Sequence, residues 1–223
     1  MNIEEQLLAE KEPIRENLLK YTRQAFGMLP PLYKPRVLDI GCGSGAPTLE
    51  LAGLTQGKVT GIDIDRAALD LLRKKIKKAG LSDKVDVQYC PAADIKFPDE
   101  SFDLIWSEGC IHIVGFERGL REWKRLLKPG GYMVLHDESI GLKKKLEQIP
   151  RYGYEILGYF ELDKDVWWDE YFGPMERFID RIRSIHADDI QALDILKNEQ
   201  TEIDNFGKYP ERYCSVFFVL RRD

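Results

Sequence analysis

Val37-Leu38-Asp39-Ile40-Gly41-Cys42-Gly43-Ser44-Gly45 decides the fold of this 223-residue chain. A short apolar run with the character of a buried strand ends in an acid, then in a loop with three closely spaced glycines. Pro47 to Leu54 comes next and reads as a helix. A glycine loop between strand and helix reaches backbone angles that side chains forbid, and it lets a ligand approach the bare backbone. Free amides at the start of the next helix suit a polar or anionic ligand. A tight turn without a ligand has the same local sequence, so the loop alone does not establish a binding site.

Support comes from Val59-Thr60-Gly61-Ile62-Asp63-Ile64-Asp65, a second strand. Its acid lies roughly 20 residues beyond the glycine loop, the placement of a ribose-binding carboxylate. The competing role for Asp63 is to cap the helix from Arg66 to Ala79, for which Asp65 is better placed. Further strands near Val85, Phe102 and Tyr132 alternate with helices, which predicts a parallel sheet covered on both faces. Tyr154 to Glu161 reads as a sixth strand. Cys214 to Arg221 is a last buried strand with no room for a crossover helix after it. Ahead of the first strand lies a helical segment to about Phe26, broken by Pro30-Pro31 and Pro35. Between strands six and seven, PMERFIDRIRSI and DDIQALDILKN carry a helical period.

Four segments taken together, VLDIGCGSG (37–45), VTGIDID (59–65), FPDESFDLIW (97–106) and LLKPGGYMVL (126–135), resemble the class I S-adenosylmethionine-dependent methyltransferases in order and spacing. The resemblance runs from about Arg36 to Glu138. It implies an α/β, Rossmann-like, doubly wound sheet of seven mostly parallel strands in the order 3-2-1-4-5-7-6, strand seven being antiparallel. The chain then reads as a single methyltransferase domain over 1–223, made of an N-terminal helical segment (1–33), a cofactor-binding core (36–139) and a helical insertion (163–208) that is either lid-like or a packed helical ornament. Within the family, WSEGCIHIVGFERG (106–119) and WWDEYFGPMERF (167–178) look like small-molecule methyltransferases related to quinone biosynthesis.

The cofactor so implied is S-adenosylmethionine, and the resemblance assigns its contacts. The backbone of Gly41, Cys42 and Gly43 faces the amino-acid part and Asp39 helps to hold its ammonium group. Asp63 holds the ribose, and Ile64 packs on the adenine. Ser107 stands with the cofactor contacts at the sheet's carboxyl edge. Many relatives carry Gly-Asp-Ala after the third strand, whereas Cys90-Pro91-Ala92 stands here. The adenine-binding acid is thus missing. Ala92 offers a backbone amide, and Asp94 either substitutes for the acid or caps a turn.

Methyl transfer from a sulfonium is an in-line displacement whose reactivity the cofactor supplies. The protein aligns the acceptor, excludes water and, for some acceptors, removes a proton. Glu108 and His112, just after the fourth strand, are the candidates for a base or an orienting group, with a structural role as the alternative for His112. Glu138 either borders the same crevice or is a solvated strand end. Trp168 and Tyr171 are candidates to line the acceptor, since aromatic faces suit flat or cationic molecules; the alternative is that they glue the insertion down. Lys143-Lys144-Lys145 reads as a solvated helix face, and Arg118, Arg121 and Arg125 as a surface stripe.

Composition narrows the remaining classes. A net charge of −5 argues against a nucleic-acid partner, and no base-gripping Asn/Asp-Pro-Pro-Tyr comes after the fourth strand. No segment is apolar for long enough to span a bilayer, and the N-terminal residues are too acidic and charged for a secretory signal. Four scattered cysteines with no paired spacing favour a reduced cytoplasmic protein with no metal site. The expected partner is therefore a small-molecule methyl acceptor. A nicotinamide-dependent oxidoreductase and a non-catalytic S-adenosylmethionine-binding protein are the competing readings. Asp39 and the Lys-Pro-Gly-Gly turn speak against the former.

Overall fold

The computed structural model describes residues 11–186 and 190–223, which divide into two compact units. One holds Tyr21–Glu161 and Val216–Asp223. The other holds the described residues up to Lys20 and Leu162–Ser215.

The first unit is built on a seven-stranded sheet. Its strands are β1 (Arg36–Ile40), β2 (Lys58–Asp63), β3 (Val85–Tyr89), β4 (Phe102–Glu108), β5 (Leu127–Glu138), β6 (Tyr154–Leu162) and β7 (Ser215–Arg222). Their order is 3-2-1-4-5-7-6 with β7 antiparallel, as the resemblance implies. The helices of this unit are α1 (Leu19–Gly27), α2 (Ala46–Leu54), α3 (Arg66–Lys78), α4 (Ile111–Val114), α5 (Phe116–Trp123) and α6 (Leu142–Gln148).

β1, β4 and β7 are near-continuously buried because both faces of the sheet centre are covered, whereas β3 and β6 alternate buried and exposed residues. Leu38, Ile40, Ile62, Ile105, Met133 and Leu135 pack with Leu120, Trp123 and Phe218 in one buried cluster. The alternate residues face the other way. Asp39 lies opposite Gly61 and Trp106, and Glu108 opposite His136. A parallel register points paired side chains to the same face. The carboxyl ends of the central strands thus bring Asp39, Asp63, Glu108 and His136 to one face.

β5 departs from the sequence expectation. The Lys-Pro-Gly-Gly turn, expected before the strand, lies inside it. Phe102 pairs with Leu127 but Leu104 pairs with Tyr132, so residues 128–131 bulge from the ladder.

The second unit is helical. A helix over 11–16 is joined by α7 (Lys164–Trp167), a π-helical turn (Trp168–Phe172), α8 (Gly173–Ile185) and α9 (Ile190–Lys208). Asp188 and Asp189, within the second periodic stretch, lie outside the described residues, as do the first ten residues of the N-terminal segment. The core of this unit gathers Ile14, Phe172, Met175, Phe178, Ile179, Ile182, Leu196, Ile203 and Phe206. Phe172 stacks on Phe206 with ring centroids 4.4 Å apart.

Candidate active site at the sheet carboxyl edge

The glycine loop is held from β2. Gly41 and Cys42 both donate their amides to the Ile62 carbonyl, at 2.8 and 3.0 Å. Gly41, Gly43 and Gly45 all have positive φ, at 78°, 49° and 88°. A side chain at Gly41 would overlap Cys110, and one at Gly45 would overlap the buried end of Leu72. Around Gly43 nothing lies within 4 Å of where a side chain would stand. The outer two glycines are therefore required by packing, while the middle one leaves bare backbone beside open space.

Asp63 organises this loop. Its Oδ2 accepts from the Gly43 amide at 2.8 Å and its Oδ1 from the Asp65 amide at 2.9 Å. Asp65 caps α3, accepting from Ala67 and Ala68. That division of labour answers the competing role for Asp63. A carboxylate offers about four lone-pair positions, so each Asp63 oxygen keeps one for a ligand. Ile64, just beyond, is 58 % exposed. Tyr89, opposite Asp63 in the β2–β3 register, is also exposed and carries Arg66 over its ring at 4.1 Å.

Asp39 is only 2 % exposed, and its Oδ2 accepts from the Thr48 hydroxyl at 2.6 Å. Burial pushes its carboxyl up to about 7, opposed by the Thr48 bond and reinforced by the charges of Glu108 and Asp63. Glu108 is likewise pushed up to about 7 by burial, against two hydrogen bonds that favour its charged form. These come from the Trp106 indole at 2.7 Å and the Thr22 hydroxyl at 2.8 Å. Ser107 points to the other face, fully buried, and donates to the Ile40 carbonyl at 3.0 Å. Its hydroxyl ties β4 to β1.

The Cys42 and Cys110 thiols are buried and both pushed up, Cys110 to about 11, so neither is a ready nucleophile. His136 is pushed down to about 4 by burial and stacks on Phe217 at 4.2 Å. His112 and Glu138 are exposed. Ala92 is half-buried, and its carbonyl accepts from the Trp123 indole at 2.9 Å. Asp94 is exposed and paired with Lys96.

Within the helical unit, Trp168 stacks on Phe206 at 6.0 Å and keeps 38 % of its surface exposed. Tyr171 packs edge-on against Trp167 and Phe172.

Two expectations need correction. Lys145 is not on a solvated face: it is half-buried, paired with buried Asp137 at 2.5 Å, and lies over the Phe116 ring at 5.3 Å. Arg125 does more than sit in a surface stripe, since it donates to the carbonyls of Ile95 and Phe97 and pairs with Asp99. It thereby fixes the loop that leads to β4. Thr22 and Trp106 escaped the sequence reading. The alternation that puts Trp106 and Glu108 on one face of β4 was a readable signal; the approach of α1 was not.

No group of three or more histidine, cysteine or acidic residues among the described residues is arranged to hold a metal ion. No helix among them is long and apolar enough to cross a membrane.

Comparison with known proteins agrees with this geometry. Residues 38–135 match the family described as Methyltransferase domain. The chain is 31 % identical over 161 residues to the 27-O-demethylrifamycin SV methyltransferase of Amycolatopsis mediterranei, covering 70 % of this chain and 59 % of that protein. It is 37 % identical over 107 residues to the ubiquinone/menaquinone biosynthesis C-methyltransferase UbiE of Geotalea daltonii, covering 47 % of this chain and 46 % of that one. The chain thus spans about half the length of the curated relatives it matches. A solved S-adenosylmethionine-dependent methyltransferase from Geobacter sulfurreducens, in complex with S-adenosylhomocysteine, superposes with a TM-score of 0.72. That match covers 93 % of this chain and 91 % of that one; at 20 % identity it shows the shared fold. Residues 38–135 thus match the Methyltransferase domain family, and the chain's motifs and strand order are those of the class I S-adenosylmethionine-dependent methyltransferases.

Proposed function

We propose that the protein is a methyltransferase that moves a methyl group from S-adenosylmethionine to a small-molecule acceptor by in-line displacement. The observation that carries this reading is the Asp63–Gly43 bond beside the open backbone of the loop. An acid that both shapes the loop and keeps lone pairs free suits a ribose diol next to a ligand lying on bare backbone. The cofactor, when bound, supplies an activated methyl group.

The residues of this chain divide the remaining work. Gly41, Cys42 and Gly43 present backbone to the amino-acid part, and Asp39 opposes its ammonium charge. Asp63 binds the ribose, exposed Ile64 covers one adenine face, and the Ala92 amide meets the adenine edge. Ser107 keeps β4 in register with the loop. Glu108 is the strongest candidate for the acceptor side, ahead of the exposed His112. Trp168, with 38 % of its surface exposed, and Tyr171 are the candidates to line a flat acceptor. Four free thiols and a net negative charge favour a cytoplasmic protein with no nucleic-acid partner.

Calorimetry with S-adenosylhomocysteine against NADPH tests the cofactor half of this reading. Tight binding of the former alone is expected; binding of NADPH in its place would sink the proposal. A turnover screen with phenols, quinone precursors, amines and thiols, read by mass spectrometry, then assigns the acceptor atom.

A further inference from the structure

Glu108 has a setting that cofactor binding alone does not call for. It ends β4 on the same face as Trp106, two residues earlier, and both of its protein hydrogen bonds land on one oxygen. Trp106 Nε1 and Thr22 Oγ1 each donate to Oε1, at 2.7 and 2.8 Å. Among the described residues, Oε2 accepts no hydrogen bond. One oxygen thus takes both protein donors, and the other keeps its lone pairs for a further donor.

Among the described residues, Asp39 on β1 is electrostatically coupled to it and His136 is its register partner on β5, while Asp63 stands one strand beyond Asp39. His136 is uncharged at neutral pH because burial holds its imidazole down. It therefore supplies no cation to lock Glu108 in the ionised state. Burial opposes its ionisation, whereas Trp106 and Thr22 favour it. Two neutral donors against burial leave a carboxyl able both to take up and to release a proton near pH 7.

We propose that Glu108 is the proton acceptor of the site, that Thr22 and Trp106 are its positioning residues, and that the methyl acceptor presents an ionisable hydroxyl, a phenol or an enol, to Oε2. The proposal rests on the methyltransferase reading and goes further by naming the acceptor class. An arylamine is already the free base at neutral pH and needs no proton removed beforehand. An alkylammonium draws its proton loss from solvent at a pKa far above that of the site, and a thiol ionises readily by itself. A hydroxyl gains most from a base whose pKa lies near the working pH. The step balances: the acceptor oxygen forms a bond to the methyl carbon while the carbon–sulfur bond breaks and its electron pair goes to sulfur. The hydroxyl proton passes to Glu108 Oε2 and then to solvent.

The test begins on the unliganded protein. Infrared difference titration of wild type against Glu108→Gln isolates the Glu108 carboxyl, which is expected to titrate near pH 7. Thr22→Val removes a donor that favours the charged form, so the titration should move up by about one pH unit. Thr22→Ser should restore it, and Trp106→Phe should move it in the same direction. A carboxyl in the ordinary range near pH 4, or one unmoved by Thr22→Val in the folded protein, overturns the proposal.

The second arm uses 4-nitrophenol with saturating S-adenosylhomocysteine, read by phenolate absorption. A gain of phenolate on wild type that is lost in Glu108→Gln is expected. Equal spectra, or no change on wild type, overturn the hydroxyl assignment. If wild type fails to bind S-adenosylhomocysteine in calorimetry, the methyltransferase reading falls and this proposal with it. Binding with a failed Glu108 titration removes only the present proposal.

Discussion

The Gly43 amide donates to Asp63 Oδ2 at 2.8 Å, so the acid that ends β2 also fixes the conformation of the loop that ends β1. Loss of this carboxylate acts twice: on the ligand and on the loop that presents backbone to it. Asp63→Ala removes two charge-assisted bonds to a ribose, each worth about 1.5–3 kcal/mol. The affinity for S-adenosylhomocysteine should fall at least tenfold by calorimetry, with the fold retained by circular dichroism. Unchanged affinity would remove Asp63 from the ribose site.

The glycines of the loop should separate by mechanism. Gly43→Ala places a methyl in open space at a φ of 49° and should cost about 1–2 kcal/mol of backbone strain. Gly45→Ala carries the same kind of strain and adds a collision with buried Leu72, worth a further 1–3 kcal/mol or so. Chemical denaturation should rank Gly45→Ala as clearly the less stable. Gly43→Val should fold yet lose S-adenosylhomocysteine binding.

Asp39 makes stability depend on pH in a definite direction. Its carboxyl is raised to about 7 in the folded protein, so between about pH 4 and pH 7 the folded state holds a proton that the unfolded chain has released. Stability should therefore fall as pH rises through that window. Asp39→Asn keeps an acceptor for Thr48 and abolishes this titration. It should weaken the pH dependence of Tm, the remainder coming from Glu108 in the same window, and leave the variant more stable than wild type at pH 8, by an amount on the order of 2–4 kcal/mol. Parallel curves for the two proteins would contradict the assignment.

The three adjacent lysines of α6 should behave unequally. Lys145 is 14 % exposed and pairs with Asp137 at 4 %, so Lys145→Ala leaves a buried carboxylate unpaired and should cost about 3–5 kcal/mol. Lys143→Ala should stay within about 0.5 kcal/mol of wild type. Urea denaturation midpoints distinguish the two.

Much of this architecture is legible in the sequence, because β1, the glycine loop and Asp63 are close along the chain and each has its own local signature. Asp65 as the α3 cap belongs to the same class. The residues that escape such a reading are joined only by tertiary contact. Thr22 meets Glu108 across 86 positions, and nothing periodic in α1 marks one threonine as its partner. Lys145 looks like its neighbours Lys143 and Lys144 until Asp137, eight residues earlier, is folded against it. The bulge in β5 is hidden for a related reason: Lys-Pro-Gly-Gly is a turn sequence, and only pairing with β4 on both sides reveals that the strand continues through it. Asp94 falls between roles because an exposed acid beside a lysine has no local mark of function.

Two glycine–cysteine pairs beneath the loop have unequal evolutionary freedom. A side chain at Gly61 would meet Cys42 Sγ at 2.9 Å, and one at Gly41 would overlap Cys110. Ala at 42 removes the Sγ and leaves its Cβ 3.1 Å from a side chain at 61, which a small shift accommodates, whereas Ala at 110 keeps the Cβ that would lie 2.4 Å from a side chain at 41. Gly61 is an ordinary strand residue, and the 61/42 pair can therefore drift as a compensated double substitution. Gly41, at a φ of 78°, cannot change in the same way without strain. Descendant sequences and combinatorial libraries should thus tolerate paired change at 61/42 while holding Gly41 fixed, a correlation set by backbone geometry and not by the ligand.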